Sequence, residues 1–150
     1  MKLAIGSDHA GYALKGQLVN WLRTAGGGSH QILDVGTASE ESCDYPDFAR
    51  EVATAVAKKR VAKGILLCGT GIGMAIAANK VHGIRAAVAW NPEVAGLAAE
   101  HNEANVLCIP ARYAGVREAR HILKRFLTTP FAEGRHARRV RKIMAMDKCS

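Results

Sequence analysis

Short apolar runs alternate along this chain with longer stretches whose apolar residues recur at helical spacing. Parallel strands cannot be joined by tight hairpins, because each connection must cross back over the sheet and is about as long as a helix. The alternation therefore predicts an α/β protein with a parallel sheet covered on both faces. The short run 64–68 is apolar throughout, as expected for a strand buried on both sides.

The alternation gives five strands and six helices. Neither a repeat nor a Pro- or Ser-rich linker interrupts them, so residues 1–150 are expected to form a single domain. Gly26, Gly27 and Gly28 are expected to end the first helix, since three glycines propagate it poorly. The predicted strands are 2–6, 31–35, 64–68, 85–90 and 105–109, and the predicted helices are 12–25, one starting at 46, 72–81, 92–101, 116–127 and 132–146.

The net charge of +8 lies entirely in the C-terminal part of the chain. Residues 1–109 carry ten basic and ten acidic side chains, whereas residues 110–150 carry eleven basic and three acidic ones. Such a tail suits nucleic acid, a membrane surface or a small anion, although a solvated face is the commonest explanation. Aromatic residues make up only 5%, which disfavours nucleic acid. A phosphate-bearing small molecule is the preferred ligand.

The expected compartment is the cytoplasm. No apolar run approaches the roughly 20 residues of a membrane span, and the N-terminus turns polar too early for a signal peptide.

Neither clustered acidic ligands nor an H-E-x-x-H pattern is present, so a metal-free site is predicted. The four cysteines show no close pair and are expected to be free thiols in a reducing environment: Cys43, Cys68, Cys108 and Cys149.

The segment 68–73, Cys-Gly-Thr-Gly-Ile-Gly, joins a buried strand to a helix. Glycines let the backbone approach a ligand with its N–H groups, and a helix N-terminus adds partial positive charge. The segment therefore predicts a site for an oxyanion or phosphate, with tight packing as the alternative. It is no dinucleotide fingerprint, because Met74 stands where the last glycine would be, and no Gly-Lys-Ser/Thr of a P-loop follows.

Cys68 is the candidate reactive group of this loop. A thiol at a helix N-terminus has a lowered pKa and can act as nucleophile or base. A small buried residue that ends a strand is an equally supported reading. Thr70 would then either donate a hydrogen bond to the reacting group or cap the helix.

Further polar residues follow other predicted elements. Asp8 and His9 suit an acid–base or sugar-hydroxyl pair, or helix capping by Asp8. His101, beside Asn102 at a helix end, can shuttle protons near neutral pH or contact the helix carbonyls. Arg135 and Arg139 share one helix face and form a fork suited to phosphate, which Arg112 can also reach.

Five motifs span nearly the whole chain: residues 7–11, 44–49, 64–80, 101–107 and 134–140. In this order they resemble the ribose-5-phosphate isomerase B family. That family also contains isomerases of galactose 6-phosphate and allose 6-phosphate. The resemblance implies a Rossmann-like α/β/α sandwich with a five-stranded parallel sheet and a C-terminal helix.

The activity implied by the resemblance is the interconversion of ribose 5-phosphate and ribulose 5-phosphate in the pentose phosphate pathway, without metal or organic cofactor. The family forms homodimers, or tetramers of such dimers, with active sites across the dimer interface. Another sugar phosphate, such as allose 6-phosphate, galactose 6-phosphate or a tetrose phosphate, remains an alternative substrate. A nucleotide- or nucleic-acid-binding module is the alternative from a different class, and a flavodoxin-like regulatory domain is less favoured.

Residue roles follow from the same resemblance. Cys68 matches the base that moves a proton between C1 and C2; some relatives carry serine there and glutamate at the position of Met74. His101 matches the residue that opens the sugar ring, with Asp8 assisting, and Asn102 matches an enediolate contact from the partner chain. The backbone that matches the family's anion hole is that of Gly69, Thr70, Gly71, Ile72 and Gly73. The residues that match the family's phosphate contacts are His9, Arg112, Arg135 and Arg139, and Tyr45 matches a residue that lines the same pocket.

Overall fold

The computed structural model describes residues 1–147 and contains a five-stranded, all-parallel sheet with helices on both faces. This confirms the predicted α/β class. The interpretation of Cys149 concerns a residue outside the described part of the chain. The strands are β1 (Lys2–Ser7), β2 (Gln31–Asp34), β3 (Lys63–Cys68), β4 (Ala86–Val88) and β5 (Val106–Pro110), in the spatial order β2-β1-β3-β5-β4.

The helices divide between the two faces of the sheet. They are α1 (Tyr12–Arg23), α2 (Tyr45–Ala57), α3 (Ile72–Ala78), α4 (Pro92–Asn102), α5 (Val116–Thr128) and α6 (Arg135–Met146). On one face α1, α4 and α5 cover a core around Phe126, while α2 and α3 cover the other face around Met74. Within residues 1–147 no helix is both long and apolar enough to span a bilayer.

Strand β3 at the centre of the sheet shows how the two cores arise. Successive side chains of a strand point to opposite faces. Ile65 and Leu67 pack into the core beneath α1, α4 and α5, whereas Leu66 and Cys68 pack beneath α2 and α3. The candidate cysteine therefore lies on the α2–α3 side of the sheet.

Several predicted boundaries were wrong by a few residues. Helix α1 ends at Arg23, before the glycines, because Thr24 is extended and its hydroxyl donates to the carbonyl of Trp21 at 2.7 Å. The glycines instead form a short 3₁₀ turn over Ala25–Gly27. Helix α6 begins at Arg135 and not at residue 132, since Gly134 just before it has φ +55°.

Helix α3 ends at Ala78, and strand β4 starts at Ala86 and covers only three residues. One side chain accounts for both differences. The amide nitrogen of Asn79 donates to the Ala86 carbonyl at 2.9 Å, and its oxygen accepts from the Ala86 N–H at 2.8 Å. Asn79 thus occupies backbone groups of an edge strand, where open pairing positions invite aggregation.

A buried ion pair ties the other edge strand to α1. Lys15 is only 3% exposed, and its ammonium group lies 2.5 Å from Asp34 at the end of β2. The Asp34 carboxylate also accepts from the Gly36 N–H at 3.0 Å. The Asp34 side chain is 37% exposed, so water partly hydrates its charge. Removing the partner of the buried Lys15 ammonium therefore costs more free energy than removing the partner of Asp34.

Replacing Asp34 with Ala should lower the free energy of unfolding by about 3 kcal/mol, because it leaves a buried ammonium without its counter-charge. Lys15→Met is the matched control: it removes the buried charge and should cost less than about 1 kcal/mol. Urea unfolding of both variants measures the difference. Equal losses in the two would show that the buried charge does not set the energetics of this contact.

Candidate active site

Polar residues from four elements converge at one edge of the sheet. All strands are parallel, so their carboxyl ends lie together, which is where ligands bind in such sheets. Asp8 and His9 follow β1, and Arg112 comes two residues after β5. Tyr45 opens α2, and the loop 69–71 joins β3 to α3. These residues, with Cys68, Ile72 and Gly73, are called the carboxyl-edge group.

The sulfur of Cys68 lies inside the glycine loop. Cys68 is 5% exposed, and the Gly71 N–H donates to its Sγ at 3.1 Å. This contact holds the sulfur against the backbone of the loop. Gly71 has φ +76°, a backbone conformation that side chains rarely adopt. Position 74, where some relatives carry glutamate, is a methionine that is fully buried in α3, so it offers no acidic group here.

The loop also presents backbone donors. Thr70 Oγ1 accepts from the Ile72 N–H at 3.3 Å, which supports the capping interpretation and leaves the hydroxyl hydrogen able to donate elsewhere. The N–H groups of Gly69 and Thr70 make no hydrogen bond within the described residues 1–147. Helix α3 is only seven residues long, so these donors contribute more to an anion site than its dipole does.

Two glycines allow large side chains to cover the loop. A Cβ on Gly69 would lie 2.9 Å from a guanidinium nitrogen of Arg112, and one on Gly73 would lie 2.7 Å from the ring of Tyr45. The Arg112 N–H also donates to the Gly69 carbonyl at 3.1 Å. The structure therefore places a cation and a phenol directly against the segment that holds Cys68.

Asp8 serves as a cap, as one of the two interpretations predicted. It is 7% exposed, and its Oδ1 accepts from the N–H groups of Ala10 at 2.9 Å and Gly11 at 3.2 Å. The next residue, His9, is oriented by a neighbouring loop, since its Nδ1 accepts from the Cys43 N–H at 3.4 Å. Its other ring nitrogen, Nε2, is therefore the donor available to a ligand.

The second buried cysteine near the loop differs from the first. Burial raises the pKa of the Cys108 thiol far above its ordinary value, and the nearby Cys68 raises it further. Cys108 therefore stays protonated and has no role as a base. Among residues 1–147, no three His, Cys, Asp or Glu side chains lie close enough together to hold a metal ion.

The remaining predicted site residues lie at the opposite edge of the sheet. Helix α4 starts after the carboxyl end of β4 and returns to the amino end of β5. At 1.5 Å per residue it spans about 16 Å, and His101 and Asn102 are its last two residues. The first turn of α6, which carries Arg135, packs against this end of α4. His101, Asn102, Arg135 and Arg139 are called the amino-edge group.

Arg85, which sequence reasoning left without a role, fastens the end of α4. Its Nε donates to the carbonyls of Asn102 at 3.2 Å and Glu103 at 2.9 Å, and its guanidinium lies 3.4 Å from the Glu103 carboxylate. Glu103 ends the helix with φ +48°. A cation near a helix C-terminus is a common cap, but Arg85 is 17 positions away from Asn102 in the sequence.

His101 contacts a second residue that sequence reasoning left without a role. Its ring stacks on that of His136 in α6, with 4.2 Å between ring centroids and 5° between ring planes. Within residues 1–147 the His101 ring makes this stacking contact and no hydrogen bond to a helix carbonyl. His136 falls within one of the quoted motifs, but a motif does not report which ring it meets.

An exposed apolar patch borders the glycine loop. Ile72, Trp90 and Tyr113 are 56%, 60% and 76% exposed. They line one side of a cavity of about 430 Å³, together with Thr70, Val88 and Pro110. Clustered large apolar side chains of this kind mark binding surfaces on soluble proteins.

Comparison with known proteins identifies the family of this chain. The model of the family described as Ribose/Galactose Isomerase matches residues 3–143. The chain is 44% identical over 147 residues to ribose-5-phosphate isomerase B of Escherichia coli, covering 98% of this chain and 97% of that protein.

Solved structures show the same fold. A ribose 5-phosphate isomerase from Thermotoga maritima is 49% identical with a TM-score of 0.91, covering 96% of this chain and 97% of that one. Ribose-5-phosphate isomerase B from Mycoplasma genitalium, solved with bound ribulose-5-phosphate, is 40% identical with a TM-score of 0.94, covering 99% and 97% of the two chains.

Close packing at Gly11 should prove essential for placing Asp8 and His9. A Cβ there would lie 2.7 Å from Leu67 Cβ and 2.9 Å from the Leu67 carbonyl oxygen, so Gly11→Ala should lower stability by about 1–3 kcal/mol through overpacking. Gly16→Ala is the matched control: nothing lies within 4 Å of its Cβ, and in the interior of α1 it should stabilise by up to about 1 kcal/mol. Thermal melting compares the two. A neutral Gly11→Ala would contradict this packing argument.

Proposed function

This chain belongs to the ribose/galactose isomerase family, and we propose that it interconverts ribose 5-phosphate and ribulose 5-phosphate through an enediolate. The observation that carries the proposal is Cys68, held by the Gly71 N–H within a loop of backbone donors. The names of the E. coli and T. maritima proteins, and the ribulose-5-phosphate bound to the M. genitalium protein, support this substrate.

Cys68 acts as the base in this proposal. The thiolate takes the proton from C2 of the open-chain aldose, and the electrons of that C–H bond form the enediolate double bond between C1 and C2. The same proton then returns to C1 and leaves the ketose. The carbonyl moves from C1 to C2, so a proton must also pass from O2 to O1. The hydroxyl of Thr70, two residues after Cys68 in the loop, assists this transfer.

The glycine loop stabilises the charge that develops on the sugar oxygens. The N–H groups of Gly69 and Thr70 are the donors for the enediolate oxygens. A fixed donor of this kind lowers a barrier by about 3–4 kcal/mol. The chemistry requires no metal or organic cofactor, because the base removes the proton and the preorganised donors stabilise the enediolate charge.

The free thiols suit a reducing compartment, so we also propose a cytoplasmic location.

Ring opening and phosphate binding require a second copy of the chain. One copy cannot bring its amino-edge group to its own Cys68, because α4 separates the two edges by about 16 Å. A homodimer with shared sites resolves this: one copy supplies the carboxyl-edge group and the other supplies the amino-edge group. The exposed Ile72, Trp90 and Tyr113 give a second copy an apolar surface next to the loop.

The roles within this shared site follow the chemistry of each group. His101 of the second copy exchanges the protons of ring opening, with Asp8 of the first copy assisting. Asn102 contacts the enediolate, and Tyr45 lines the pocket. Cationic and hydrogen-bonding groups of both copies hold the phosphate: His9 and Arg112 from one copy, Arg135 and Arg139 from the other. Binding of the phosphate positions the distant reacting carbons.

Ribose 5-phosphate conversion, assayed with EDTA present, should be efficient in the native protein and should exceed turnover of allose 6-phosphate and galactose 6-phosphate.

Cys68→Ala should lose at least about 10³-fold in kcat with little change in substrate binding, because it removes the base and leaves the phosphate contacts. Cys43→Ala is the matched control, since it keeps the backbone N–H that contacts His9. Near-native turnover in Cys68→Ala would remove the cysteine from the mechanism.

Mixing two inactive variants tests the shared site. Cys68→Ala and Arg135→Ala each damage every site of a homodimer, but a hybrid dimer combines both lesions in one site and leaves the other intact. After subunit exchange, activity should return to about a quarter of the native value, because half of the dimers are hybrids with one good site. No recovery, in a mixture shown to contain hybrids, would place all site residues of one active site in a single copy.

A further inference from the structure

The start of α6 and the end of α4 form one fixed unit. The Ala132 N–H donates to the Glu100 carbonyl at 2.9 Å, which ties the segment before α6 to α4. The His136 N–H donates to the Glu133 carbonyl at 3.0 Å and closes the first turn of α6. The rings of His101 and His136 stack within this unit, almost parallel and 4.2 Å apart.

Stacking restricts the one motion that an imidazole otherwise makes freely. Rotation of the ring about its Cβ–Cγ bond has a broad range of accessible angles. In this unit, turning the His101 ring out of its plane would drive its edge into the His136 ring. The stack covers one face of His101 and leaves the two ring nitrogens at its edges, where proton transfer takes place.

The shape of the substrate explains why this orientation matters. In a ribose 5-phosphate furanose the ring oxygen is bonded to C4, and the phosphate is carried by the neighbouring C5. A group that protonates the ring oxygen must therefore lie close to the groups that bind the phosphate. His136 stands next to Arg135 in the chain and one turn before Arg139, so it joins the ring-opening residue to the phosphate-binding helix.

We propose that His136 is a positioning residue for ring opening: its ring holds His101 of the same copy at a fixed angle and a fixed distance from the phosphate-binding arginines. This rests on the proposed function of His101. Ring opening moves the proton of the O1 hydroxyl to the imidazole, breaks the C1–O4 bond as the C1 carbonyl forms, and delivers a proton to O4. One imidazole held in one plane can serve both oxygens.

The surroundings of His136 favour its neutral form by lowering its pKa. Desolvation lowers the pKa of His136, and the neighbouring His101, Arg135 and Arg139 lower it further, against a smaller opposite effect of Glu100. Two stacked imidazolium rings would repel each other, so a neutral His136 leaves His101 as the ring that receives the proton.

Variants of His136 separate stacking from acid–base chemistry. His136→Phe keeps a flat ring without a titratable group, while His136→Leu keeps apolar bulk without a flat face. His136→Leu should lower kcat for ribose 5-phosphate by about 10-fold or more with KM within about twofold, and His136→Phe should restore most of the loss. His121→Ala, which removes an exposed histidine of α5, is the control.

A deuterium label at C2 identifies the step that slows. If ring opening becomes slow in His136→Leu, the isotope effect on kcat should not exceed that of the native protein. A larger isotope effect would mean that proton abstraction had slowed, and it would overturn the proposal. Unchanged kcat in His136→Leu, a loss confined to KM, or an equal loss in His136→Phe would overturn it as well.

His101→Ala distinguishes this inference from the proposed function. If His101→Ala keeps native kcat, the role of His101 in ring opening is wrong, and the role of His136 falls with it. If His101→Ala loses turnover while His136→Leu keeps it, His136 alone is misassigned. Melting temperature and dimer content are measured for each variant, and only folded dimers enter the comparison.

Discussion

The parallel direction of all five strands constrains everything else in this structure. Their carboxyl ends meet at one edge, so residues that follow different strands become neighbours there. The same constraint sends every crossover helix back to the opposite edge. Residues that follow strands, such as Asp8, and residues that end helices, such as His101, are therefore kept apart within one chain.

The carboxyl-edge group depends on small residues that let larger ones approach. Gly11 allows the segment with Asp8 to pack on Leu67, and Gly69 and Gly73 allow Arg112 and Tyr45 to cover the loop. Because the donors are backbone N–H groups held by the sheet, they need no reorganisation when charge develops on a substrate. A flexible loop with the same composition would lose this advantage.

The amino-edge group is also built before any substrate arrives. Arg85 caps the carbonyls at the end of α4, and His136 stacks on His101 from α6. Both supports come from distant parts of the chain and act on one short segment. In the homodimer proposed above, each copy would supply one half of two sites, and each half already has its geometry in the single chain.

The sequence alone determined the alternation of strands and helices, and with it the parallel sheet, because apolar periodicity and crossover length are local properties. It also identified Cys68 and its glycine loop, whose strand–loop–helix setting is written in consecutive residues. Helix ends such as Arg23 were misplaced by a few residues, because hydrogen bonds from Thr24 decide them. Only the tertiary structure separated the candidate residues into two edges and assigned partners to Arg85 and His136, because contacts between residues distant in sequence leave no periodic signal.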